Sequence, residues 1–184
     1  MKYSTIILFL IPVFLKVNGQ DTVKNPPYIY PNNSIFIEAA GNSYFFGSLN
    51  YERVLINKGI FYFNARIGIG YGNYSQTSIL SLPIGFNGVL QIYQAFAWEF
   101  GLGLSLMQIK RSNASPRNSI EEFEQILALI PSTGLRIQDK NGFLFRIDFT
   151  PFFNPNSKGQ LIPSKSFKPW VGLSIGYRIG KKNK

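Results

Sequence analysis

The sequence predicts an all-β protein, namely an eight-stranded antiparallel up-and-down β-barrel that crosses a membrane. The strongest observation is the strict alternation of large apolar residues with small or polar residues around position 175. There, one face carries Val171, Leu173, Ile175, Tyr177 and Ile179, and the other carries Gly172, Ser174, Gly176 and Arg178. An apolar outer face and a polar inner face are typical of a barrel surrounded by lipid. Composition agrees, because only 15% of the residues are charged, against about 25% in soluble proteins.

The predicted strands follow one another along the chain as eight alternating runs. Each run is near the length of about ten residues that a tilted strand needs to cross a bilayer. No segment with helical periodicity follows the first 19 residues. The predicted strands cover 33–41, 44–56, 60–72, 78–90, 95–109, 124–138, 142–153 and 168–180.

The connections between these runs alternate in length, which is the third observation. Tight turns are predicted at 57–59, 91–94 and 139–142, where Asp-Lys-Asn-Gly is a strong hairpin signal. Most of the others are longer, near 73–77, 110–123 and 154–167, while the first, near 41–43, is short. Outer-membrane barrels have short periplasmic turns and longer external loops. This pattern predicts that both ends of the barrel lie in the periplasm.

The segments outside the barrel predict export from the cytoplasm. Residues 1–19 resemble a secretory signal, with Lys2 before an apolar run at 6–15 and a cleavage site near Gly19. That run is too short to span a bilayer as a helix. The predicted organisation is a signal peptide at 1–19, a periplasmic segment at 20–32, a transmembrane barrel at 33–180 and a basic tail at 181–184. Because the chain has no cysteine, it carries neither a disulfide nor a lipid-modified cysteine.

A soluble lipocalin-like barrel is the main structural alternative, and it requires apolar residues inside. The third and fifth runs argue against it. Their predicted outer faces carry wide apolar bands, for example Phe61, Phe63, Ile67 and Tyr71. Such bands promote aggregation in water but suit contact with lipid.

The inner faces of the runs bring eight charged residues into the predicted lumen, four of each sign. They are Glu38, Glu52, Glu99, Asp148, Arg66, Arg136, Arg146 and Arg178. An eight-stranded barrel is just wide enough for side chains to fill it. Because unpaired buried charges are costly, we expect a network of ion pairs that plugs the lumen. A narrow or gated ion path is the alternative.

Aromatic residues gather near the ends of the predicted strands, as in the interfacial girdles of membrane barrels. The periplasmic girdle is predicted to contain Phe61, Phe96, Trp98, Phe143 and Tyr177. The external girdle is predicted to contain Trp170, together with Tyr44, Tyr71 and Phe152.

The sequence argues against catalysis and against tightly bound cofactors. The chain has no histidine and no cysteine, which removes the usual activated nucleophiles and leaves only oxygen ligands for metals. We expect no enzyme activity, no cofactor and no metal, and we interpret the acidic residues at 121–124 as a solvated loop. Although the net charge is +10, the basic residues are scattered, so we expect no nucleic-acid binding.

Several segments together resemble the small outer-membrane β-barrel proteins of the Bacteroidota, often described as porin-family proteins. The resemblance extends over 33–38, 41–42, 48–53, 66–70, 82–85, 99–103, 149–151 and 169–178. Its most specific parts are Ser-Leu-Asn-Tyr-Glu-Arg at 48–53 and Gly-Leu-Ser-Ile-Gly-Tyr-Arg at 172–178. One departure is that the last strand ends at Ile179 and a basic tail, whereas such barrels usually end on an aromatic residue.

The resemblance implies a barrel fold and insertion into the outer membrane, and it implies no catalytic residues. We therefore expect a structural or surface-interaction role exerted through the external loops. The alternative is a narrow or gated porin-like channel for small solutes. The expected partners are outer-membrane lipid, lipopolysaccharide and the barrel insertion machinery, and the partner of the loops is unknown.

Overall fold

A computed structural model describes residues 32–43, 47–74, 76–113, 120–153 and 167–180. These residues form ten strand segments. They are β1 (Asn33–Ala40), β2 (Gly47–Lys58), β3 (Phe61–Tyr74), β4 (Thr77–Tyr93), β5 (Phe96–Asn113), β6 (Ile120–Gln138), β7 (Phe143–Phe149), β8 (Phe152–Phe153), β9 (Phe167–Lys168) and β10 (Val171–Ile179). No helix in the described ranges is long and apolar enough to cross a bilayer.

The ten segments form eight barrel strands. Segments β7 and β8 together make the seventh barrel strand, and segments β9 and β10 together make the eighth. Each strand pairs antiparallel with its sequence neighbours, and β1 pairs with β10 to close the sheet. In the closing pair, Asn33 lies opposite Ile179 and Ile37 lies opposite Ile175. Closure gives each of the eight barrel strands a neighbour on both sides. The predicted eight-stranded antiparallel barrel is confirmed.

The two faces of the sheet carry the side chains that alternation predicts. Outward residues are large and apolar, and Ile67, Tyr71 and Trp98 have exposed fractions of 57%, 62% and 51%. Inward residues such as Arg136 and Arg146 are fully buried. This polarity is the reverse of that in a soluble barrel, so the lipocalin-like alternative is wrong.

We call the end of the barrel that holds the tight turns and residues Asn33 and Ile179 the turn end, and the opposite end the loop end. The connection at the turn end between β6 and β7 is organised by Asp139. Its carboxylate accepts hydrogen bonds from the backbone N–H groups of Asn141 at 2.8 Å and Phe143 at 3.0 Å. Partial desolvation raises the pKa of Asp139, but these hydrogen bonds outweigh it, so the pKa lies below its usual value. The hairpin predicted at 139–142 is present.

Two connections at the loop end differ from the predictions. The predicted long connection at 110–123 is wrong, because β5 and β6 remain paired as far as Asn113 opposite Ile120. The connection predicted near 73–77 is only two residues long, 75–76. Polar residues such as Lys110 and Gln125 made this segment look like a loop in the sequence. A pair of strands that extends beyond the apolar band of the barrel can carry polar side chains, so composition does not distinguish it from a loop. We call 108–113 with 120–125 the β5–β6 ribbon, which extends about 20 Å at the rise of a strand.

The first connection at the loop end folds into the barrel. Residues Gly41–Ser43 form a short 3-10 turn, which we call the inner turn, and all three are buried. The chain enters it through Ala40 and Gly41, whose φ angles of 62° and 64° lie in the left-handed region. The inner turn contacts β4, β5 and β10. The sequence predicted that this connection is short but not that it points inward.

Replacement of Gly172 by alanine tests the packing of the inner turn. A Cβ atom at Gly172 would lie 2.8 Å from the Cα of Gly41, so backbone must move. We expect Gly172→Ala to lower the free energy of unfolding by about 1–3 kcal/mol, measured by urea titration of the refolded barrel. Gly47→Ala is the matched control, since its Cβ would meet only an ordinary contact at 3.7 Å. Equal stability of the two variants would contradict this packing.

Candidate functional site in the barrel interior

A closed ring of four buried charges occupies the barrel interior. Arg136 contacts Glu52 at 2.6 Å and Glu99 at 3.1 Å, and Arg146 contacts the same two carboxylates at 3.2 and 3.0 Å. Each arginine therefore binds both glutamates, and each glutamate binds both arginines. The ring is electrically neutral, and its side chains are at most 2% exposed.

The ring forms because four different strands point these side chains inward at compatible heights. Glu52 comes from β2, Glu99 from β5, Arg136 from β6 and Arg146 from β7. Arg136 and Arg146 are direct cross-strand neighbours, and two like charges in that position repel each other. The two glutamates reach them from other strands and offset this repulsion. The charges therefore depend on contacts across the lumen rather than on neighbouring strands alone.

Neutral side chains complete the surroundings of the ring. The Asn87 amide donates a hydrogen bond to Glu99 at 2.5 Å, and the Ser34 hydroxyl donates one to Glu52 at 3.3 Å. The Phe36 ring lies 3.9 Å from the guanidinium carbon of Arg146, a close cation–π contact. These contacts fix the rotamers of the charged residues and exclude solvent from them.

At the turn end, Gln138 and Tyr62 connect the ring to Arg178. The Gln138 carbonyl oxygen accepts hydrogen bonds from Arg178 at 2.7 Å and from Arg136 at 3.2 Å, while its amide donates to the Tyr62 hydroxyl. Both guanidinium groups also lie near the Tyr62 ring. Neither Tyr62 nor Gln138 was among the residues predicted for the lumen. The only feature of the sequence that points to these two residues is their position on the inward-facing side of an alternating strand.

At the loop end, Glu38 and Arg66 form a separate and longer pair, with 3.8 Å between Arg66 Nη1 and Glu38 Oε2. The other oxygen of Glu38 accepts hydrogen bonds from the backbone and side-chain nitrogens of Asn42. Asp148 lies opposite Gly172 and is buried. All eight charged residues predicted for the lumen are thus buried in the interior. Four of them form the ring, Arg178 joins it through Gln138, and Glu38, Arg66 and Asp148 lie on its loop-end side.

Apolar clusters lie at both ends of the polar interior. Toward the turn end, Tyr62, Val89 and Ala97 pack together with Val54. Toward the loop end, the buried cluster contains Met107, Ile109, Ile126, Ala128, Ile130 and Phe152. The expectation that Phe152 lies in an interfacial girdle is wrong, because Phe152 has the inward parity of Asp148 and Thr150 and is buried, while Phe153 points outward. Phe149 points outward, whereas Phe152 is buried.

The remaining predicted girdle residues surround the wall of the barrel. Phe96, Trp98, Phe143 and Tyr177 are exposed on the turn-end side. Phe61 is half-buried and stacks on Phe100 with ring centroids 6.3 Å apart, and Trp170 is half-buried. Tyr44 lies outside the described residues. That these rings mark the membrane interface stays a prediction.

The described charged residues of the interior mainly compensate one another. No group of three or more acidic side chains that could hold a metal ion occurs in the described parts of the chain. A groove of about 590 Å³ is lined by outward residues that include Ile37, Ala39, Gly47 and Leu173. This groove therefore belongs to the outer wall and not to the lumen.

Comparisons with known proteins identify the fold but no family. No family model matches the chain, and no curated protein matches its sequence. Among solved structures, the chain is similar to Ail, the attachment invasion locus protein of Yersinia pestis, with 12% identity and a TM-score of 0.53 over 81% of this chain and 99% of that one. It is also similar to the N-terminal β-barrel domain of OprF from Pseudomonas aeruginosa, with 14% identity and a TM-score of 0.52 over 80% and 98% of the two chains.

Substitutions of Glu99 and Arg66 test whether a charge in the ring stabilises the barrel more than a charge in the longer Glu38–Arg66 pair. Glu99→Ala leaves both ring arginines short of a partner, and we expect a loss of about 3–5 kcal/mol in the free energy of unfolding. Arg66→Ala breaks only a 3.8 Å contact, and we expect a loss of about 1–3 kcal/mol. Urea titration in detergent measures both values.

Glu124→Ala serves as the matched control for these variants, because Glu124 is a partly exposed carboxylate on the β5–β6 ribbon. We expect its effect to stay within about 0.5 kcal/mol. If Glu99→Ala were no more destabilising than Glu124→Ala, the ring would not stabilise the barrel.

Proposed function

We propose that this protein is a non-enzymatic outer-membrane barrel whose filled interior makes it a closed anchor and whose loop end serves interactions at the cell surface. The observation that carries the proposal is the ring of Glu52, Glu99, Arg136 and Arg146. Four direct ion pairs occupy the lumen at its centre. A lumen filled with paired side chains suits an anchor better than a pore.

The outer wall supports a location in lipid. Its exposed residues are overwhelmingly large and apolar along every barrel strand, as in the lipid-facing bands of outer-membrane barrels. The similarity in fold to the Ail and OprF barrels is consistent with this location. The proposed partners of the wall are outer-membrane lipid and lipopolysaccharide, and the proposed route of entry is the barrel insertion machinery. The signal peptide near 1–19 and the resemblance to Bacteroidota barrels remain part of this proposal.

The two ends of the barrel differ in a way that supports a surface role for the loop end. The described connections at the turn end are tight, whereas the β5–β6 ribbon extends past the last apolar outward pair, Leu106 opposite Leu127. Beyond it, outward positions carry Gln108, Gln125 and Lys110, and Lys110 lies over the Phe123 ring at 5.6 Å. The similar Yersinia protein is named for attachment and invasion. A projecting ribbon suits a comparable role at the surface.

A channel is the competing function, and a planar bilayer distinguishes it. We expect the refolded protein to produce no reproducible conductance steps above those of detergent alone, because paired charges and apolar clusters block the lumen. Insertion is verified in parallel by resistance of the barrel to protease in liposomes. Regular steps from protein that is verifiably inserted would contradict the closed-anchor proposal and favour a channel.

Epitope tags test the orientation that the surface role needs. We expect a tag inserted within 114–119 to be detected by antibody on intact cells that express the protein. The matched control is the same tag at 140–141 in the β6–β7 turn, which we expect to require permeabilised cells. Detection of the turn tag, but not the loop-end tag, on intact cells would refute the proposed orientation.

A further inference from the structure

A single arginine interrupts the apolar outer side of β2. Arg53 is exposed, and its neighbours on the outer side of the strand are Tyr51 and Leu55, which have exposed fractions of 39% and 53%. In the strand register it lies opposite Asn33 on β1 and Ala65 on β3. The small side chain of Ala65 leaves the space beside the guanidinium group open. Arg53 therefore presents a positive charge from a largely apolar part of the wall.

The guanidinium group of Arg53 has no acidic partner on the surrounding strands. The acidic residues of β1, β2 and β3 are Glu38 and Glu52, and both are buried in the interior. In the described parts of the chain, no ion pair and no side-chain hydrogen bond reaches Arg53. A charge on the lipid-facing side of a barrel is unfavourable unless it meets water or a counter-charge. Arg53 is thus open to an anionic ligand from outside the protein.

Arg53 lies near the turn end of the wall, where lipid headgroups are expected. It pairs in register with Asn33, the first residue of β1, and Asn33 pairs with Ile179, the last residue of β10. The Tyr51 hydroxyl donates a hydrogen bond to Asn33 Oδ1 at 2.7 Å, so the polar group of this tyrosine is also directed toward the turn end. Polar and cationic side chains at the end of an apolar wall are typical of the membrane interface, where lipid phosphates lie.

An apolar groove begins next to Arg53 and extends toward the loop end. Tyr51, the neighbour of Arg53 on β2, lies between Ile35 and Ile67 on the flanking strands. The groove has a volume of about 260 Å³, and the outward side chains that line it are those of Ile35, Leu49, Tyr51, Ile67 and Ile69. A charge at one end and an apolar groove that leads away from it follow the same order as the phosphate and the acyl chain of a phospholipid.

We propose that Arg53 and this groove bind one anionic phospholipid of the membrane, with its phosphate on the guanidinium group and an acyl chain in the groove. Arginine can bind a phosphate through two parallel hydrogen bonds. Phosphatidylglycerol suits the site better than a zwitterionic lipid, because the ammonium group of the latter would find no exposed carboxylate on β1, β2 or β3. The inference rests on the proposed location of the wall in lipid and names one binding site on it.

Native mass spectrometry of the refolded barrel in detergent tests the site, with dioleoyl phosphatidylglycerol as the probe. We expect the wild type to retain one molecule of this lipid and to bind it more tightly than dioleoyl phosphatidylcholine. Arg53→Gln removes a charge-assisted contact, so we expect the affinity for phosphatidylglycerol to fall about tenfold. Lys58→Gln is the matched control, because it changes the net charge equally but lies roughly 15 Å farther along β2. We expect this variant to bind like the wild type.

Glycerol 3-phosphate, which has the phosphate but no acyl chain, provides a second test. We expect no displacement of the bound lipid at equal concentration, and displacement would overturn the proposal by revealing a site for anions rather than for lipid. Equal binding of both lipids, unaffected by Arg53→Gln, would also overturn it, since lipid would then merely coat the wall. A dimer that carries no lipid would overturn it as well, because a second copy would then occupy the groove.

Insertion into liposomes, followed by resistance to protease, separates this inference from the proposed function. A barrel that inserts but does not prefer phosphatidylglycerol would refute only the lipid site. A barrel that fails to insert would refute the proposed location of the wall in lipid.

Discussion

Compensation of buried charge is the constraint on which the rest of this structure depends. Two arginines and two glutamates lie in a space from which water is excluded, so each must find its opposite charges within the barrel. The ring satisfies that requirement with four contacts between 2.6 and 3.2 Å. Because its members come from β2, β5, β6 and β7, the ring holds opposite walls of the barrel together. It also fills the centre of the lumen.

The need to fit charged side chains into a narrow lumen explains why the interior uses both glycine and arginine. Gly85 lies beside Arg66, and a Cβ there would be 3.2 Å from its Nε atom. Glycines on the inner face thus provide the room that long guanidinium side chains need. Arginine fits this setting because its planar donors can bind two carboxylates at once. The inner turn and the two apolar clusters then close the polar interior at its ends.

Alternation predicted the fold well, because membrane barrels impose the same inside–outside rule on every strand. It identified which charged residues face inward, since parity alone decides the face. It did not identify their partners. Glu52 lies opposite Arg66 in the strand register, yet its ion-pair partners are Arg136 and Arg146. Contacts across a lumen depend on strand tilt and stagger, which a local pattern does not contain.

The other differences also have local physical causes. Phe152 was assigned to the girdle from its place near a strand end, although alternation puts it on the same inward face as Asp148, where it is buried. The β5–β6 ribbon resembled a loop because strand pairing outside an apolar band leaves no hydrophobic signal. The inward fold of Gly41–Ser43 depends on close approach to Gly172 from another strand, which only the closed barrel brings near.

A double-mutant cycle between Glu52 and Arg136 tests the central role of the ring most directly. Unfolding free energies of the wild type, Glu52→Gln, Arg136→Met and the double variant give their coupling free energy. For a buried contact of 2.6 Å, we predict a favourable coupling of about 1.5–3 kcal/mol. The same cycle for Glu52 and Arg66, neighbours in register, should give a much smaller value. Equal or negligible coupling in both cycles would contradict the account.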